Sequence, residues 1–421
     1  MNKNLRVKAH SEGLPLMDYI LKRIKDLEKN TGTKRSIFAA CPNSRAVLRA
    51  AIRSAKRNNA PVKFAATLNQ VDLDGGYTGM TPDEFVRIIK EEARKVNLTG
   101  PVIIAVDHGG PWLKDKHKTE NWSYDQSMSA VKQSFEAAIA AGYDLLHVDP
   151  TVDITLGKGE NIDIDTVAER TLELIEHTEN FRRNNGYKRI SYEVGTEEVH
   201  GGLADMDVFK RFLNLLKSGL RERNLDDVWP CFVVGKVGTD LHTTLFDASV
   251  ARELTSVAEP FGSMIKGHYS DNVDNPEDYP ASGMGAANVG PEFTEKEYDV
   301  LIELDVLEEE LFDKGEIAKR TFIKDILWEA VISSNRWKKW LQEDESPSDF
   351  YALSPERQEW LIKTGCRYIW EEDRVVATRS RLMENLNGKG IDTEIIVTSA
   401  IESAMDRYYE KFNLKGLNDL L

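Results

Sequence analysis

The stretch VIIAVDHGGPW, residues 102–112, shows how this chain builds its fold. Five apolar or small residues lead directly into Asp107 and His108, and a Gly-Gly-Pro-Trp turn follows them. This pattern predicts a buried β-strand that ends in two polar side chains. A single polar strand end is more often structural than catalytic, so the role of Asp107 and His108 depends on the strands around them.

The same unit recurs along the first 290 residues as a short β-branched run, a polar or glycine-rich turn and an amphipathic helix. Strands are predicted at 36–41, 61–67, 101–107, 144–149, 189–194, 231–237, 262–268 and 285–289. Intervening segments with apolar residues at three- and four-residue spacing predict helices at 43–58, 82–96, 124–141, 163–183, 206–222 and 247–258. Eight strands alternating with helices over roughly 250 residues favour a (β/α)8 TIM barrel over a doubly wound sheet.

The pattern changes near residue 294, after which helical segments follow one another without strands. We therefore predict three parts: an N-terminal helical segment at 1–30, a TIM-barrel catalytic domain at 31–293 and a C-terminal helical extension at 294–421. The extension is expected to pack onto the barrel through its tryptophans, which are Trp328, Trp337, Trp340, Trp360 and Trp370.

Composition narrows the range of partners and compartments. The 421 residues carry a net charge of −15, which argues against general binding to nucleic acid or to an anionic membrane. No apolar run is long enough to span a bilayer, and no signal-peptide core is recognised at the N-terminus. Cys41, Cys231 and Cys366 are few and far apart, so a disulfide framework is not expected and a reducing cytoplasm is.

Histidine and carboxylate side chains concentrate at the predicted carboxyl ends of the strands, where a barrel places its chemistry. They are Asp107 and His108 on the third strand, His147 on the fourth, Glu193 and Glu197 on the fifth, His242 after the sixth, and His268 and Asp271 on the seventh. Three imidazoles from neighbouring strands suit Zn²⁺, Mn²⁺ or Co²⁺, and three protein ligands leave a coordination position open for substrate.

Several motifs give the chain a family resemblance. LNQVDLDGGYTGMTPDEF, VDHGGP, SYEVGTE, GHYSDN and NVGPEFT resemble the GatZ/KbaZ-like family, known as the non-catalytic subunit of class II D-tagatose-1,6-bisphosphate aldolase. The similarity extends over nearly the whole chain, including WKKWL and CRYIW in the extension. That family is in turn similar to class II aldolases, which are metal-dependent TIM barrels, and to ketose 4-epimerases.

The resemblance implies ligands for a divalent metal, with Zn²⁺ expected first and Mn²⁺ or Co²⁺ as alternatives. His108 matches the zinc ligand that ends the third strand, beside Asp107 as an acid–base group. His242 and His268 match the other two ligands, although His242 sits one residue later than the aldolase pattern and HYSD is shorter by one residue.

The resemblance also suggests roles for the remaining polar residues. Glu197, in the GTE motif, is the expected second acid–base group, and Glu193 is its rival because strand alternation puts both at the same end. Substrate contacts are expected from Asn69 and Gln70 to hydroxyls, and from Ser270, Asp271 and Asn288 to the far end of the sugar.

Two classes of function follow. One is a ketose or ketose-phosphate C4-epimerase of the fructose and tagatose type. It would break the C3–C4 bond to form an enediolate and then re-form it, with aldol cleavage as the near variant. The other is a stabilising subunit that binds a class II aldolase chain; a homo-oligomer is the alternative assembly. The acidic chain and the lack of a clear glycine-rich phosphate loop lean toward a free sugar or toward mixed specificity.

Overall fold

Eight parallel strands close into a barrel in sequence order, which confirms the predicted TIM-barrel fold. The computed structural model describes residues 3–157, 160, 162–195, 205–342, 344–346 and 348–421. The strands are β1 (Ile37–Ala40), β2 (Val62–Thr67), β3 (Val102–Gly109), β4 (Leu145–Val148), β5 (Ser191–Gly195), β6 (Phe232–Val234), β7 (Met264–Gly267) and β8 (Ala286–Val289).

Helices follow the strands in the predicted alternation. The first ten are α1 (Lys3–Ser11), α2 (Leu16–Thr31), α3 (Arg45–Arg57), α4 (Pro82–Lys95), α5 (Asp115–Thr119), α6 (Tyr124–Ala141), α7 (Ile164–Asn184), α8 (Met206–Glu222), α9 (Ala248–Ala258) and α10 (Asp278–Ala281). The last five are α11 (Pro291–Asp313), α12 (Ile323–Ser334), α13 (Pro355–Gly365), α14 (Asp373–Asn387) and α15 (Thr393–Lys411). Among the described helices, none is long and apolar enough to cross a membrane.

Strand β3 is the longest strand and carries the irregularity that shapes the site. It pairs with β2 in continuous register from Val62 with Val102 to Thr67 with Asp107. Against β4 the register shifts between Val106 and Gly109. His108 lies inside this shift with a φ of +47°, a left-handed conformation that is uncommon for a residue with a side chain.

The N-terminal helices α1 and α2 bind residues at the amino ends of two strands. Arg6 of α1 pairs with the buried carboxylate of Asp144, which precedes β4, at 2.5 Å. Asp18 of α2 accepts a hydrogen bond at 2.5 Å from the hydroxyl of Ser191, the first residue of β5. These contacts leave the opposite, carboxyl ends of the strands for a site.

The C-terminal helices continue from the barrel without a break. Helix α11 begins directly after β8 and crosses residue 293, so the chain passes from barrel to extension within one helix. Helix α15 packs against α3 and α11. Phe38 of β1 anchors this contact, with its ring centroid 5.5 Å from that of Tyr408 and 5.2 Å from that of Tyr409.

This anchor generates a stability prediction. Phe38 is completely buried, and Phe38→Ala should lower the free energy of unfolding by about 3–5 kcal/mol because it removes the ring and leaves a cavity. Tyr351→Ala, at a residue 72% exposed, should change it by less than about 0.5 kcal/mol. Urea unfolding followed by far-UV circular dichroism measures both. Equal effects would show that the extension does not depend on this contact.

Candidate metal and substrate site

Four side chains meet at the carboxyl ends of the strands. Asp107, His108, His147 and His268 each offer one ligand atom, and these atoms all lie within 4.8 Å of one another. The ring centroid of His108 is 4.8 Å from that of His147 and 4.4 Å from that of His268. His147 is fully buried, and Asp107 is only 4% exposed.

The irregularity in β3 explains why Asp107 and His108 share one cluster. Consecutive residues of a regular strand point to opposite faces. The left-handed backbone at His108 and the register shift beside it break that alternation. Gly110 permits the close approach of the following chain, because a Cβ there would lie only 1.9 Å from the carbonyl oxygen of Asp149.

His108 is oriented by a carboxylate behind it. Its Nδ1 lies 2.5 Å from Oδ2 of Asp149, and the other oxygen of this carboxylate, Oδ1, accepts a hydrogen bond from Thr151. Burial alone would raise the pKa of Asp149, but contact with His108 lowers it to about 2. Burial lowers the pKa of His108, yet the charges of Asp107 and Asp149 raise it overall. The contact to Asp149 occupies Nδ1 and leaves Nε2 for another partner.

His147 and His268 carry nitrogens without partners. Nδ1 of His147 lies 3.1 Å from the backbone nitrogen of His108 and 3.3 Å from Oδ1 of Asp107, whereas its Nε2 has no partner among the described residues. Neither ring nitrogen of His268 has a hydrogen-bond partner there, although Nε2 lies 3.4 Å from Oδ1 of Asp107. Buried polar atoms are normally satisfied, so these nitrogens fit a site that binds a divalent metal.

Two buried lysines neutralise the carboxylates of the cluster. Lys266 Nζ lies 2.5 Å from Oε1 of Glu193 and 3.3 Å from Oδ1 of Asp107. Lys63 Nζ lies 3.6 Å from Oε2 of Glu193. Burial would raise the pKa values of Asp107 and Glu193, but the charge of Lys266 holds both well below their ordinary range. Burial and the neighbouring charge of Lys266 lower the pKa of Lys63 to about 8.

These lysines are functional candidates that the sequence analysis did not single out. Each is a charged residue inside an otherwise apolar strand, in PVKFAAT and GSMIKGH. A lysine on the barrel-facing side of such a strand requires a buried carboxylate partner. That signal was present in the sequence.

A pocket of about 240 Å³ opens above the cluster. Asp107, His108, His268 and Asn288 line it from the barrel. The extension supplies another part of its lining, namely Arg336, Lys339, Trp340, Arg367 and Tyr368. Barrel and extension therefore enclose one pocket between them.

The predicted hydroxyl contacts, Asn69 and Gln70, line the pocket but are already hydrogen-bonded to the protein. Asn69 donates to the carbonyl of Leu113 and accepts from the backbone N–H of Asp115. Gln70 accepts from the backbone N–H of Thr67 and donates to Oδ1 of Asn43. These side chains hold the loops that border the pocket.

The three residues predicted to hold the far end of the sugar differ in placement. Asn288 lines the pocket and donates to Oδ2 of Asp107 at 2.9 Å. Asp271 also lines the pocket and accepts hydrogen bonds from the backbone N–H groups of Gly290 and Glu292. Ser270 is completely buried, donates to the hydroxyl of Tyr279 and is not among the lining residues.

The last three predicted site residues are Glu193, Glu197 and His242. Glu193 belongs to the buried lysine cluster and is not among the residues lining the pocket, and Glu197 lies outside the described residues. His242 does not join His108 and His268. Its side chain is exposed and packs against Trp360 of the extension, with ring centroids 4.8 Å apart and the rings tilted by 32°. The loop after β6 carries His242 away, and His147 of β4 takes the third imidazole position.

The two histidines give a matched test of the ligand set. His147→Ala should weaken metal binding by more than about 100-fold, since losing even an outer partner of a ligand costs about 10- to 100-fold. His242→Ala should leave metal affinity unchanged because its ring lies on Trp360. Titration of the chelator-treated chain with Zn²⁺ and Co²⁺ measures both. If instead His242→Ala weakened metal binding and His147→Ala did not, His242 would be the third ligand.

Asp271 makes stability depend on pH. Burial raises its pKa from 3.8 to about 7 despite the two backbone hydrogen bonds. The folded chain therefore holds this proton more tightly than the unfolded chain. The resulting stabilisation is complete below about pH 4 and is lost as the pH rises through about 7. Asp271→Asn keeps an oxygen acceptor and cannot ionise, so between pH 5 and pH 8 it should lose about 3 kcal/mol less unfolding free energy than the parent chain.

Urea unfolding at the two pH values measures this difference. Asp313→Asn, at an exposed carboxylate, is the control and should behave like the parent chain. An identical pH slope in all three proteins would contradict the assignment to Asp271.

Comparison with known proteins agrees with this architecture. A probable tagatose 6 phosphate kinase from Sinorhizobium meliloti 1021 shares 22% identity and a TM-score of 0.72, covering 90% of this chain and 100% of that one. The fructose-bisphosphate aldolase of Campylobacter jejuni shares 12% identity and a TM-score of 0.54, covering 95% of each chain. These likenesses show the fold. The family model described as D-tagatose-1,6-bisphosphate aldolase subunit GatZ/KbaZ-like matches residues 21–414, and the chain belongs to that family.

Proposed function

We propose that the protein is a metal-dependent ketose or ketose-phosphate C4-epimerase of the fructose and tagatose type, working by retro-aldol and aldol steps. The observation that carries the proposal is the cluster of Asp107, His108, His147 and His268 beside the pocket, with unpartnered imidazole nitrogens. A purely structural subunit needs no such cluster.

His108, His147 and His268 would hold the metal. Imidazole nitrogens favour Zn²⁺, and Mn²⁺ or Co²⁺ also accept them. A divalent metal bound there supplies Lewis-acid polarisation of the substrate's carbonyl oxygen. The hydrogen bond from His108 to Asp149 fixes the ring that presents Nε2.

Asp107 is the proposed base. Lys266 keeps its carboxylate ionised, and the amide of Asn288 holds Oδ2 at 2.9 Å. Asp107 takes the proton from the C4 hydroxyl while the C3–C4 bond breaks and its electron pair stays on the C3 fragment. When the aldehyde turns its other face and the bond re-forms, Asp107 returns the proton and the product is the C4 epimer.

Two residues compete for the second acid–base role. Glu193 would act through Lys266, because Lys266 lies 2.5 Å from its carboxylate and the pocket lining does not include Glu193. Glu197 is the other candidate. Substrate hydroxyls would meet Asn288 and Asp271, while Asn69 and Gln70 keep the pocket border in place.

Pocket walls supplied by the extension favour epimerisation over cleavage. The aldehyde fragment must stay bound long enough to rotate, and a pocket covered by Trp340 and Tyr368 slows its escape. The free cysteines, Cys41, Cys231 and Cys366, support the cytoplasm as the compartment.

The family description favours one alternative, a stabilising subunit that pairs with a class II aldolase catalytic chain. Self-association is a second mode of assembly. Size-exclusion chromatography with and without a class II aldolase distinguishes these arrangements.

Incubation of the chain with fructose, tagatose and their 6-phosphates, with added Zn²⁺, Mn²⁺ or Co²⁺, tests the activity. We expect C4-epimer formation by NMR with little free aldehyde. Asp107→Asn should keep the metal and lose turnover by about 100-fold or more. Asp313→Asn should match the parent chain. If the purified chain holds no metal and turns over no ketose, the proposed enzymatic function is refuted. The stabilising subunit then remains as the function.

A further inference from the structure

The pocket wall supplied by the extension is basic, although the chain as a whole carries a net charge of −15. Arg336, Lys339 and Arg367 all line the pocket from this side. Two of these cations share a single carboxylate, since Asp115 lies 2.5 Å from Arg336 and 2.9 Å from Lys339. Both pairs are partly exposed, so solvent screens the one positive charge that Asp115 leaves unbalanced.

Arg367 differs from its neighbours. It is only 5% exposed, and among the described residues it forms no ion pair. Its Nε and Nη2 have no hydrogen-bond partner there. A buried guanidinium without an anion is costly, because its donors lose water and receive nothing in exchange. Arg367 lines the pocket, so an anion bound there would lie beside the guanidinium.

Two aromatic rings hold the guanidinium in place. Its central carbon lies 4.5 Å from the ring centroid of Trp340 and 4.9 Å from that of Tyr368. Stacking on rings fixes the plane of the group and stabilises its charge, but it does not satisfy the N–H donors at the edge. The donors are therefore pre-organised for a planar or tetrahedral oxyanion, which arginine binds through two parallel hydrogen bonds.

The phenol of Tyr368 lies among these cations and responds to their charge. Burial alone would raise the pKa of the Tyr368 phenol, but the charges of Arg367, Lys339 and Arg336 lower it. Tyr269, which follows His268 in the chain, lines the same pocket as Arg367. Arg367 therefore lines the same pocket as Asp107, His108 and His268.

We infer that Arg367 is the anion-binding, specificity-determining residue of this pocket. It takes the phosphate or carboxylate at the end of an acidic ketose remote from the reacting carbons. This inference rests on the proposed function and deepens it, because it makes the helical extension part of the substrate site. It differs from the sequence-based expectation in two ways: Ser270 is buried away from the pocket, and an anionic sugar replaces the free sugar.

Inorganic phosphate binding to the chelator-treated chain tests the site without turnover. Isothermal titration should show phosphate binding to the parent chain and a loss of about 10- to 100-fold in Arg367→Gln. Arg367→Lys keeps the charge without the fork and should fall between them. Arg381→Gln, an exposed arginine of α14 outside the pocket lining, is the matched control and should bind like the parent. Equal affinity in all four proteins, or no phosphate binding by the parent together with no binding of a hexulosonate, overturns the inference.

The same variants separate the two sources of the anion and the two proposals. A loss confined to ketose 6-phosphates assigns the site to phosphate, and a loss confined to hexulosonates assigns it to a carboxylate. Either pattern, with binding of fructose unchanged, supports the inference. Thermal unfolding midpoints equal to that of the parent chain exclude a folding defect in the variants. If Arg367→Gln is unfolded, the affinity of Arg367→Lys is compared with that of the parent chain instead. If the chain binds the anion but is inactive on every ketose, the proposed epimerase function is refuted. The assignment of Arg367 as an anion-binding residue is then retained.

Discussion

The arrangement of the site depends on one buried ammonium group, that of Lys266. It lies inside the barrel against Glu193 at 2.5 Å and Asp107 at 3.3 Å. Two carboxylates this close, from β3 and β5, would repel each other strongly without a cation between them. Removing one partner of such a buried group leaves an uncompensated charge. Lys266 therefore allows Asp107 to be ionised next to three imidazoles, and Lys63 shares the charge of Glu193 from the other side.

Most of the fold follows from the sequence because its signals are local. Alternating apolar runs and amphipathic segments locate β1 to β8 and the helices between them to within a few residues. The strand predicted at 231–237 shortens to Phe232–Val234, since a glycine follows and pairing there weakens. The site was harder to predict because it depends on which way each side chain points. His242 follows a strand but leaves with its loop, and loop direction is set by tertiary contacts such as the ring of Trp360.

Knowing which face of the sheet each strand residue occupies would have identified most of the site residues that the sequence analysis missed. The register pairs Ala105 with Leu145 and His147 with Glu193, so Asp107, His147 and Glu193 face one side of the sheet. It continues through Phe232 and Val234 to Lys266. Starting from Asp107, counting in steps of two along registered neighbours selects His147, Glu193 and Lys266 together. Register is a non-local property, and for that reason a single sequence does not display it.

The extension supplies something that the barrel alone lacks, namely a cover over the open carboxyl ends of the strands. A barrel places polar groups around one opening, which remains exposed to water and lets a small aldehyde diffuse away. The chain between α12 and α14 borders this opening and adds Trp340, Arg367 and Tyr368 to the pocket. In the proposed reaction, rings that exclude water and a cation that binds a charged end would retain both halves of the cleaved sugar. The same bond-breaking step would then end in epimerisation where the cover holds and in cleavage where it does not, so the extension would decide between these reactions more than the imidazole cluster does.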